Sequence, residues 1–247
     1  MSDPGAANEA GAADLVAMPR EVVDDFAQFG IVAFTTQRGA GTFGTAGDDP
    51  IGGVMARWRA VRTELRASGI TRLATATQVH GARVIKHGGG WEGWLRGDAA
   101  DGHAVVERGT ALAVTIADCV PVFIAHPGGA VAALHSGWRG TVARIVEHGI
   151  AAMTQRGLPA SELRMHLGPA ICGECYEVSP GVYYQLTGRD VATSSTVDLR
   201  SIIAGHARTA GIAHISITDS CTRHNNDQFF SHRAGDTGRQ IGVIAGA

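Results

Sequence analysis

Apolar residues recur at helical spacing in the first third of the chain. The clearest pattern carries four large apolar side chains at intervals of three and four residues: Val54, Trp58, Val61 and Leu65. The pattern stops at Gly69 and predicts an amphipathic helix over 52–68. Two further helices are predicted over 140–157 and 197–210.

Short apolar runs bounded by glycines or polar turns predict strands. These runs have the length of strands and are rich in Val, Ile, Thr or Ala. The predicted strands cover residues 71–79, 82–86, 111–117, 120–125, 130–135, 163–167, 212–218 and 240–245. Because strands outnumber helices and many connections have hairpin length, the pattern favours an α+β fold with a mixed or mostly antiparallel sheet over a doubly wound parallel fold.

The first residues differ in composition from the rest of the chain. Residues 1–20 are rich in Ala, Gly and Asp and show no periodicity, which predicts a disordered tail. No internal repeat and no Pro/Ser-rich linker divides residues 21–247, and this length is sufficient to bury a core. We therefore expect one domain over 21–247.

Charge and cysteine content exclude several classes of protein. The net charge is −2, from 21 basic and 23 acidic residues without a basic block, so nucleic acid and anionic membranes are not expected partners. No apolar run reaches the roughly 18 residues of a spanning helix, and the acidic N-terminal stretch does not resemble a secretory signal. Four cysteines make no disulfide framework. We expect a cytoplasmic enzyme without an obligate protein partner.

Three residues suited to metal binding follow predicted strands or lie between them. His80 ends the stretch TQVH, Cys119 lies in a turn, and His135 ends another strand. Strand ends can meet at one edge of a sheet, where two imidazoles and one thiolate would make a three-ligand zinc site with its fourth position open. The spacing matches no zinc-finger pattern. An equally good interpretation is therefore that the two histidines are ordinary polar residues at strand ends and that Cys119 is a small buried apolar residue.

A glycine-rich turn follows His135. The stretch Gly137-Trp138-Arg139-Gly140-Thr141 lies between a predicted strand and a predicted helix, where free backbone N–H groups favour an anion. The Arg139 guanidinium suits phosphate or carboxylate, and Gly137 and Gly140 permit close approach of the backbone. The alternative is a turn with a solvated arginine. An anion site beside a metal site would suit an enzyme that acts on a phosphate.

Five motifs together resemble the bacterial laccase-domain family. In chain order they are TQVHG, ADCVPV, HSGWRGT, LGPAICGECYEV and FFSHRAGDTGRQIGV. Members of this family have been labelled multicopper polyphenol oxidases, purine nucleoside phosphorylases and peptidoglycan editing factors. The resemblance spans about residue 30 to the C-terminus. It implies a single α+β catalytic domain with layered sheets flanked by helices, similar to the catalytic domain of cytotoxic necrotizing factor deamidases.

The resemblance also carries residue roles. By motif match, it implies zinc ligands at His80, Cys119 and His135. Two positions depart from the family pattern. Ser136 stands where the family usually has Ala, and His232 stands where it often has Tyr.

Two further arginines and three carboxylates are weaker candidates. Arg233 and Arg239, in the stretch SHRAGDTGR, are expected to bind an anionic substrate, or else are solvated loop residues. Asp118 is expected to orient a histidine or move a proton, with a cap on the turn as the alternative. Asp101 and Glu177 are pocket carboxylates on the same footing.

The spacing of the remaining cysteines does not complete a metal-binding or redox motif. Cys172 and Cys175 are a lone C-x-x-C. A zinc knuckle would need a second such pair, and a redox dithiol would need a βαβ context, so packing in a tight turn is expected. A structural role is expected for Cys221.

The choice among functions rests on the histidines and on the resemblance. None of the 11 histidines has another two positions away, which argues against a multicopper cluster. A Cys–His hydrolase would use Cys119 and His135 but gives His80 no role. A non-catalytic binding protein has no use for an open metal site.

The resemblance therefore favours a zinc-dependent purine nucleoside phosphorylase acting on adenosine, inosine and methylthioadenosine, with adenosine deamination as a side activity. The expected catalytic residues are Asp118, Cys119 and Arg139, and the expected ligands are purine nucleosides and phosphate. Copper is the weaker alternative to zinc. The alternative functions are a laccase-like polyphenol oxidase and a Cys–His hydrolase acting on a cell-wall precursor.

Overall fold

The computed structural model describes residues 18–247. The expected tail falls largely on residues 1–17, which lie outside the described residues, and the first strand begins at Arg20. The strands are β1 (Arg20–Val22), β2 (Ile31–Thr36), β3 (Arg72–Ala76), β4 (Val84–His87), β5 (Gly93–Gly97), β6 (Gly102–Val105), β7 (Thr110–Ile116), β8 (Val120–Ala125), β9 (Val131–Ser136), β10 (Arg164–Leu167), β11 (Glu177–Val178), β12 (Ser195–Thr196), β13 (His214–Ile217) and β14 (Gln240–Gly246). The α-helices are α1 (Ile51–Ala67), α2 (Trp138–Val142), α3 (Ile145–Thr154), α4 (Pro180–Thr187) and α5 (Leu199–Thr209).

Most of the strands belong to two six-stranded sheets. The first sheet has the order β1-β2-β14-β7-β3-β5, and the second has the order β13-β10-β8-β9-β6-β4. Both sheets are mixed. In the first, β3 is parallel to β5 and β7 while β14 is antiparallel to β2 and β7. In the second, β8 is antiparallel to β9 and β10 while β10 is parallel to β13. The expected α+β fold with mixed sheets flanked by helices is confirmed.

Three apolar clusters hold four layers together. One cluster joins the outer face of the first sheet to α1, with Trp58 as its largest side chain. A second lies between the two sheets and includes Leu112 and Phe123. The third joins the outer face of the second sheet to α3 and α5 and includes Leu134 and Met153. Burying each such side chain stabilises the fold by about 1.5–3 kcal/mol.

Strand β7 shows why the predicted strands read as continuous apolar runs. Ala111 and Ala113 face α1, whereas Leu112 and Val114 face the second sheet. Both faces of the strand are therefore buried, and neither needs polar residues. Helix α1 has only one buried face, which carries the four residues of the predicted stripe, so its boundaries match the prediction of 52–68 closely.

The sequence pattern misjudges several elements. The helix predicted over 140–157 is two helices, α2 and α3, because Arg144 adopts a left-handed conformation with φ of 58°. The pattern does not predict β2, β5, β6 or α4. Strand β5 lies at the edge of its sheet and has a glycine at each end. Helix α4 is short and has no fully buried residue, and only Val182, Tyr183 and Leu186 pack against the core from it. Among residues 18–247, no helix combines the length and the apolar character that crossing a membrane requires.

Candidate metal centre and cleft

The pairing of strands brings residues from separate strands together at one end of the second sheet. Cys119 immediately precedes β8, and His135 lies near the end of β9. Because β8 and β9 are antiparallel, Pro121 pairs with His135, and the two predicted ligands become neighbours. Strand β6 is also antiparallel to β9 and begins at Gly102, so Asp101 lies at the same end of the sheet.

The three predicted ligands converge. One ligand atom from each of His80, Cys119 and His135 lies within 4.8 Å of the others. The two imidazole rings meet edge to face, with centroids 4.9 Å apart and an interplanar angle of 77°. Ligand atoms around a tetrahedral zinc ion are about 3.3–3.6 Å apart, so the three side chains are close enough to hold one ion.

Asp101 organises two of the three ligands. Its side chain is fully buried and accepts hydrogen bonds from the backbone N–H groups of Val79, His80 and Gly81, at 3.1, 2.9 and 2.7 Å. It also accepts from Nδ1 of His135 at 2.8 Å. Burial opposes its charge, but the His135 and backbone hydrogen bonds outweigh that effect and lower the pKa of Asp101. A proton held on Nδ1 leaves Nε2 of His135 free for a metal.

Cys119 and His135 form a thiolate–imidazolium pair when no metal is bound. Burial raises the pKa of Cys119, but the charge and hydrogen bonds of His135 and His80 lower it to about 6. Burial lowers the pKa of His135, but the Cys119 thiolate and Asp101 raise it to about 9. Near neutral pH the cysteine is therefore already in its metal-binding form, whereas His135 must lose a proton before it can bind a metal.

The two predicted glycines have different roles. A Cβ atom at Gly137 would lie 2.8 Å from Sγ of Cys119, closer than carbon and sulfur can approach without displacement. Gly137 therefore leaves room for the thiolate in the wall of the cleft. Gly140 is buried behind that wall, where a Cβ atom would meet the carbonyl oxygen of Gly81 at 3.1 Å. Its position is that of a packing residue, because it does not line the cleft.

A cleft of about 660 Å³ opens over the three ligands. This volume is within the range of small-molecule sites. Aromatic side chains of Phe43, Trp58 and Trp94 line one part of it, and the two indole rings lie 5.0 Å apart. Trp94 donates its Nε1–H to Oγ1 of Thr75. The sequence pattern explains Trp58 only as helix core and gives no signal that it also faces a cleft.

Three arginines reach the cleft, and they differ in how many of their N–H donors are already used within the protein. Arg139 is exposed and its guanidinium lies 4.6 Å from the Trp138 ring centroid. Arg233 lies over the Tyr176 ring at 4.7 Å and donates to the carbonyl oxygen of Glu177. Arg239 donates to three carbonyl groups of its own loop. Of the three, Arg139 retains the most donors for a ligand.

Asp118 holds the C-terminal loop. It adopts a left-handed conformation with φ of 81°, and its carboxylate accepts from Oγ1 of Thr222 at 2.6 Å and from the backbone N–H of Arg233 at 2.7 Å. The carboxylate that orients a histidine is Asp101, not Asp118. Asp118 and not Asp101 is the catalytic residue expected from the sequence, because the sequence alone does not show which strands pair.

Three other candidates lie at the margins of the site. The Glu177 side chain is exposed, and only its carbonyl group contacts Arg233. The hydroxyl of Ser136 is buried against the hydroxyl of Thr141 at 3.0 Å, away from the cleft wall. His232 is exposed and lines the rim of the cleft.

Known proteins resemble this chain in sequence and fold. Residues 39–247 match the family model described as multi-copper polyphenol oxidoreductase laccase. The purine nucleoside phosphorylase ORF3 of Streptomyces griseus is 33% identical over 209 residues, covering 81% of this chain and 84% of the relative. Adenosine deaminase RL5, from an unknown prokaryotic organism, is 32% identical over 153 residues, covering 56% of each chain. The crystal structure of the hypothetical protein YfiH of Bacillus licheniformis has a TM-score of 0.82 at 24% identity, covering 94% of this chain and 97% of that one, and shows the likeness of fold alone.

Proposed function

Because the chain belongs to the multi-copper polyphenol oxidoreductase laccase family, we propose that it performs the nucleoside chemistry named in its relatives. The proposed activity is zinc-dependent phosphorolysis of adenosine and inosine, extending to methylthioadenosine, with adenosine deamination as a side activity. The observation that carries the proposal is the convergence of His80, Cys119 and His135 beside Arg139 in one cleft.

The donor set fits zinc better than a multicopper cluster. Two imidazoles and a thiolate leave the fourth tetrahedral position open, as in catalytic zinc sites. A multicopper oxidase needs a histidine-rich cluster, and none of the groups of suitable ligands within residues 18–247 has more than two histidines. A bound zinc ion would supply a Lewis acid to polarise an oxygen atom in the cleft.

Different residues of the chain are assigned to the phosphate, to the purine and to the metal in phosphorolysis. The reaction breaks the bond between the purine nitrogen and the anomeric carbon and forms a bond from that carbon to a phosphate oxygen. We assign Arg139 and the backbone at Gly137 to the phosphate, with Arg233 and Arg239 adding positive charge at the rim. The aromatic part of the cleft offers flat surfaces on which a purine can stack. Asp101 keeps His135 in its metal-binding tautomer.

Dependence on phosphate and on Arg139 tests the proposal. Removing a charge-assisted contact to a developing oxyanion costs about 2–4 kcal/mol, or roughly thirty- to a thousand-fold in rate. We expect Arg139→Ala to slow inosine phosphorolysis by that factor and Arg139→Lys to recover little, because a point charge cannot replace the planar guanidinium. Adenosine deamination, which uses water, should suffer less.

The matched control is Arg66→Ala, which removes an exposed arginine at the end of α1. Its rate should equal that of the parent. The assay compares the formation of hypoxanthine and ribose 1-phosphate with and without phosphate. Cleavage to free ribose that needs no phosphate and is unchanged in Arg139→Ala would refute both the phosphorylase assignment and the role of Arg139.

The lowered pKa of Cys119 beside His135 favours a second candidate, a Cys–His hydrolase. His80 separates the two candidates, because it is a metal ligand under the first, whereas under the second it only assists His135 in lowering the pKa of Cys119. Under the zinc proposal, His80→Ala loses activity together with metal. Full activity in His80→Ala, with an acyl group trapped on Cys119, would establish the hydrolase instead.

A further inference from the structure

A second group of metal-binding side chains lies outside the site described above. It comprises three thiols and one imidazole, those of Cys172, Cys175, Cys221 and His224, whose ligand atoms all lie within 4.8 Å of one another. We call it the Cys3His cluster. Cys172 and Cys175 follow β10, and Cys221 and His224 follow β13. Because β10 and β13 are parallel neighbours, the loops after them leave the sheet at the same end.

Each loop presents its two ligands from one turn. In the first, the backbone N–H of Tyr176 donates to the carbonyl group of Cys172 at 3.0 Å. In the second, the N–H of Asn225 donates to the carbonyl group of Cys221 at 2.8 Å. A two-residue spacing within such a turn directs both ligand side chains to one side. The pair that a zinc knuckle requires is thus completed by a C-x-x-H, a pattern typical of structural zinc sites.

The dimensions of the cluster suit a zinc ion. Sγ of Cys175 lies 3.1 Å from Nε2 of His224, and Sγ of Cys172 lies 3.8 Å from Nδ1 of the same ring. Sulfur and nitrogen ligands of one tetrahedral zinc ion are about 3.5 Å apart, so a rotation of the ring that brings one nitrogen toward both sulfur atoms would complete the ligand set. The His224 side chain is exposed and can turn to present either nitrogen.

Neighbouring groups stabilise a thiolate in the cluster. Sγ of Cys221, which is only 3% exposed, accepts the backbone N–H groups of Cys172 at 3.3 Å and of His224 at 3.5 Å. Three thiolates around a divalent ion carry a net charge of −1. Arg223 lies within the second turn and donates to the carbonyl group of Cys175 at 3.3 Å, which places a positive charge nearby.

We propose that Cys172, Cys175, Cys221 and His224 bind a structural zinc ion. Four protein ligands close the coordination sphere, which distinguishes this site from the open site at Cys119. The ion would join the loops after β10 and β13, which backbone contacts between Ala170 and the Cys221–Thr222 segment already bring together.

The proposed ion supports the wall of the cleft. Tyr176, which lines the cleft under Arg233, directly follows Cys175. Thr222, whose hydroxyl binds the Asp118 carboxylate, directly follows Cys221. Fixing the two loops therefore fixes an aromatic side chain and a hydrogen-bond donor of the cleft.

Metal stoichiometry tests the proposal. The full chain, purified under reducing conditions without added metal, should contain about two zinc ions per chain. Cys119→Ser should keep about one, held by the Cys3His cluster. Substituted with cobalt, Cys119→Ser should show the visible bands of tetrahedral cobalt and the ultraviolet absorption of cobalt–thiolate bonds. Adding Cys172→Ser to this variant should abolish both the remaining metal ion and the cobalt–thiolate absorption.

Two further variants keep the test informative if a ligand variant fails to fold. In the Cys119→Ser chain, His224→Cys replaces one zinc ligand by another and should keep the metal. His214→Ala removes an exposed histidine of β13 and should also keep it. Absence of zinc and of cobalt–thiolate absorption in folded Cys119→Ser, after incubation with either metal, would overturn the proposal. A Cys172–Cys175 disulfide, located by peptide mapping in parent protein purified without reductant, would overturn it as well.

Discussion

Replacing Asp101 by Asn tests how the proposed metal ligands are held in place. The carboxylate accepts hydrogen bonds on both oxygens: His80 N and His135 Nδ1 on Oδ1, and Val79 N and Gly81 N on Oδ2. Asparagine offers one acceptor oxygen and one NH2 donor group. Whichever way the amide turns, at least one backbone N–H then faces another donor.

The expected cost follows from burial. Asp101 is 0% exposed, so water cannot satisfy the donor that is left unpaired. An unsatisfied buried donor costs about 1–3 kcal/mol, and Asp101→Asn should lower the free energy of unfolding of the metal-free protein by at least that amount. Zinc affinity at Cys119 should fall by about 10–100-fold, because an amide does not hold the proton on Nδ1 of His135 as a carboxylate does.

The assay is competition with a chromophoric zinc chelator. Only the zinc ion that the parent binds and Cys119→Ser does not bind is counted. Urea unfolding of the metal-free protein measures stability separately. Asp236→Asn is the matched control, since that carboxylate also accepts several hydrogen bonds, from Ser231, Asn226 and Arg38, but binds no predicted zinc ligand. All three bonds end on Oδ2, so an asparagine oxygen can keep them; the control should lose mainly the charge of the Arg38 ion pair and should keep its zinc affinity. An Asp101→Asn variant with parental zinc affinity would refute the role given to Asp101.

Two further predictions concern the same centre. Gly137→Ala places a methyl group against the Cys119 thiolate and should weaken zinc binding without straining the backbone, whereas Gly205→Ala, with no atom near its added methyl group, should leave zinc binding unchanged; zinc titrations of both variants check this. At pH 7.5, zinc entering the Cys119 site should release about one proton, because Cys119, with a pKa of about 6, is already ionised while His135, with a pKa of about 9, still carries its proton. Calorimetry in buffers of different ionisation enthalpy measures the proton count, which should fall toward zero above pH 9. A release that does not change between pH 7.5 and 10 would contradict the assignment.

Local pattern predicted individual elements better than their arrangement. Helix α1 and strand β8 follow from the spacing and length of apolar runs, because each buries a face or faces that the sequence records directly. The order of the strands does not follow, since the pairing of β6 with β9 leaves no mark on the composition of either strand. That pairing is what separates Asp101 from the other two candidate carboxylates.

The candidate site shows the same division. His80, Cys119 and His135 were identified from their positions at strand ends and from the resemblance, and the structure brings them together. The Cys3His cluster does not follow from the spacing of the cysteines, because its fourth ligand is a histidine. The signal was present in the sequence as Cys221-x-x-His224. Only the parallel pairing of β10 with β13 shows that the two pairs meet.

The left-handed backbone at His80 and Asp118 has a consequence for how this family diverges. His80 is one of the proposed ligands and Asp118 directly precedes another, with φ of 59° and 81°, and neither is the glycine that this conformation favours. A non-glycine residue held there costs about 1 kcal/mol or more, which a substitution to glycine would return to the folded state. The imidazole at position 80 is therefore held at a cost to the free energy of folding. In a lineage that abandons metal binding, glycine or asparagine should replace His80 early, and such a replacement would mark the loss of the site in sequence alone.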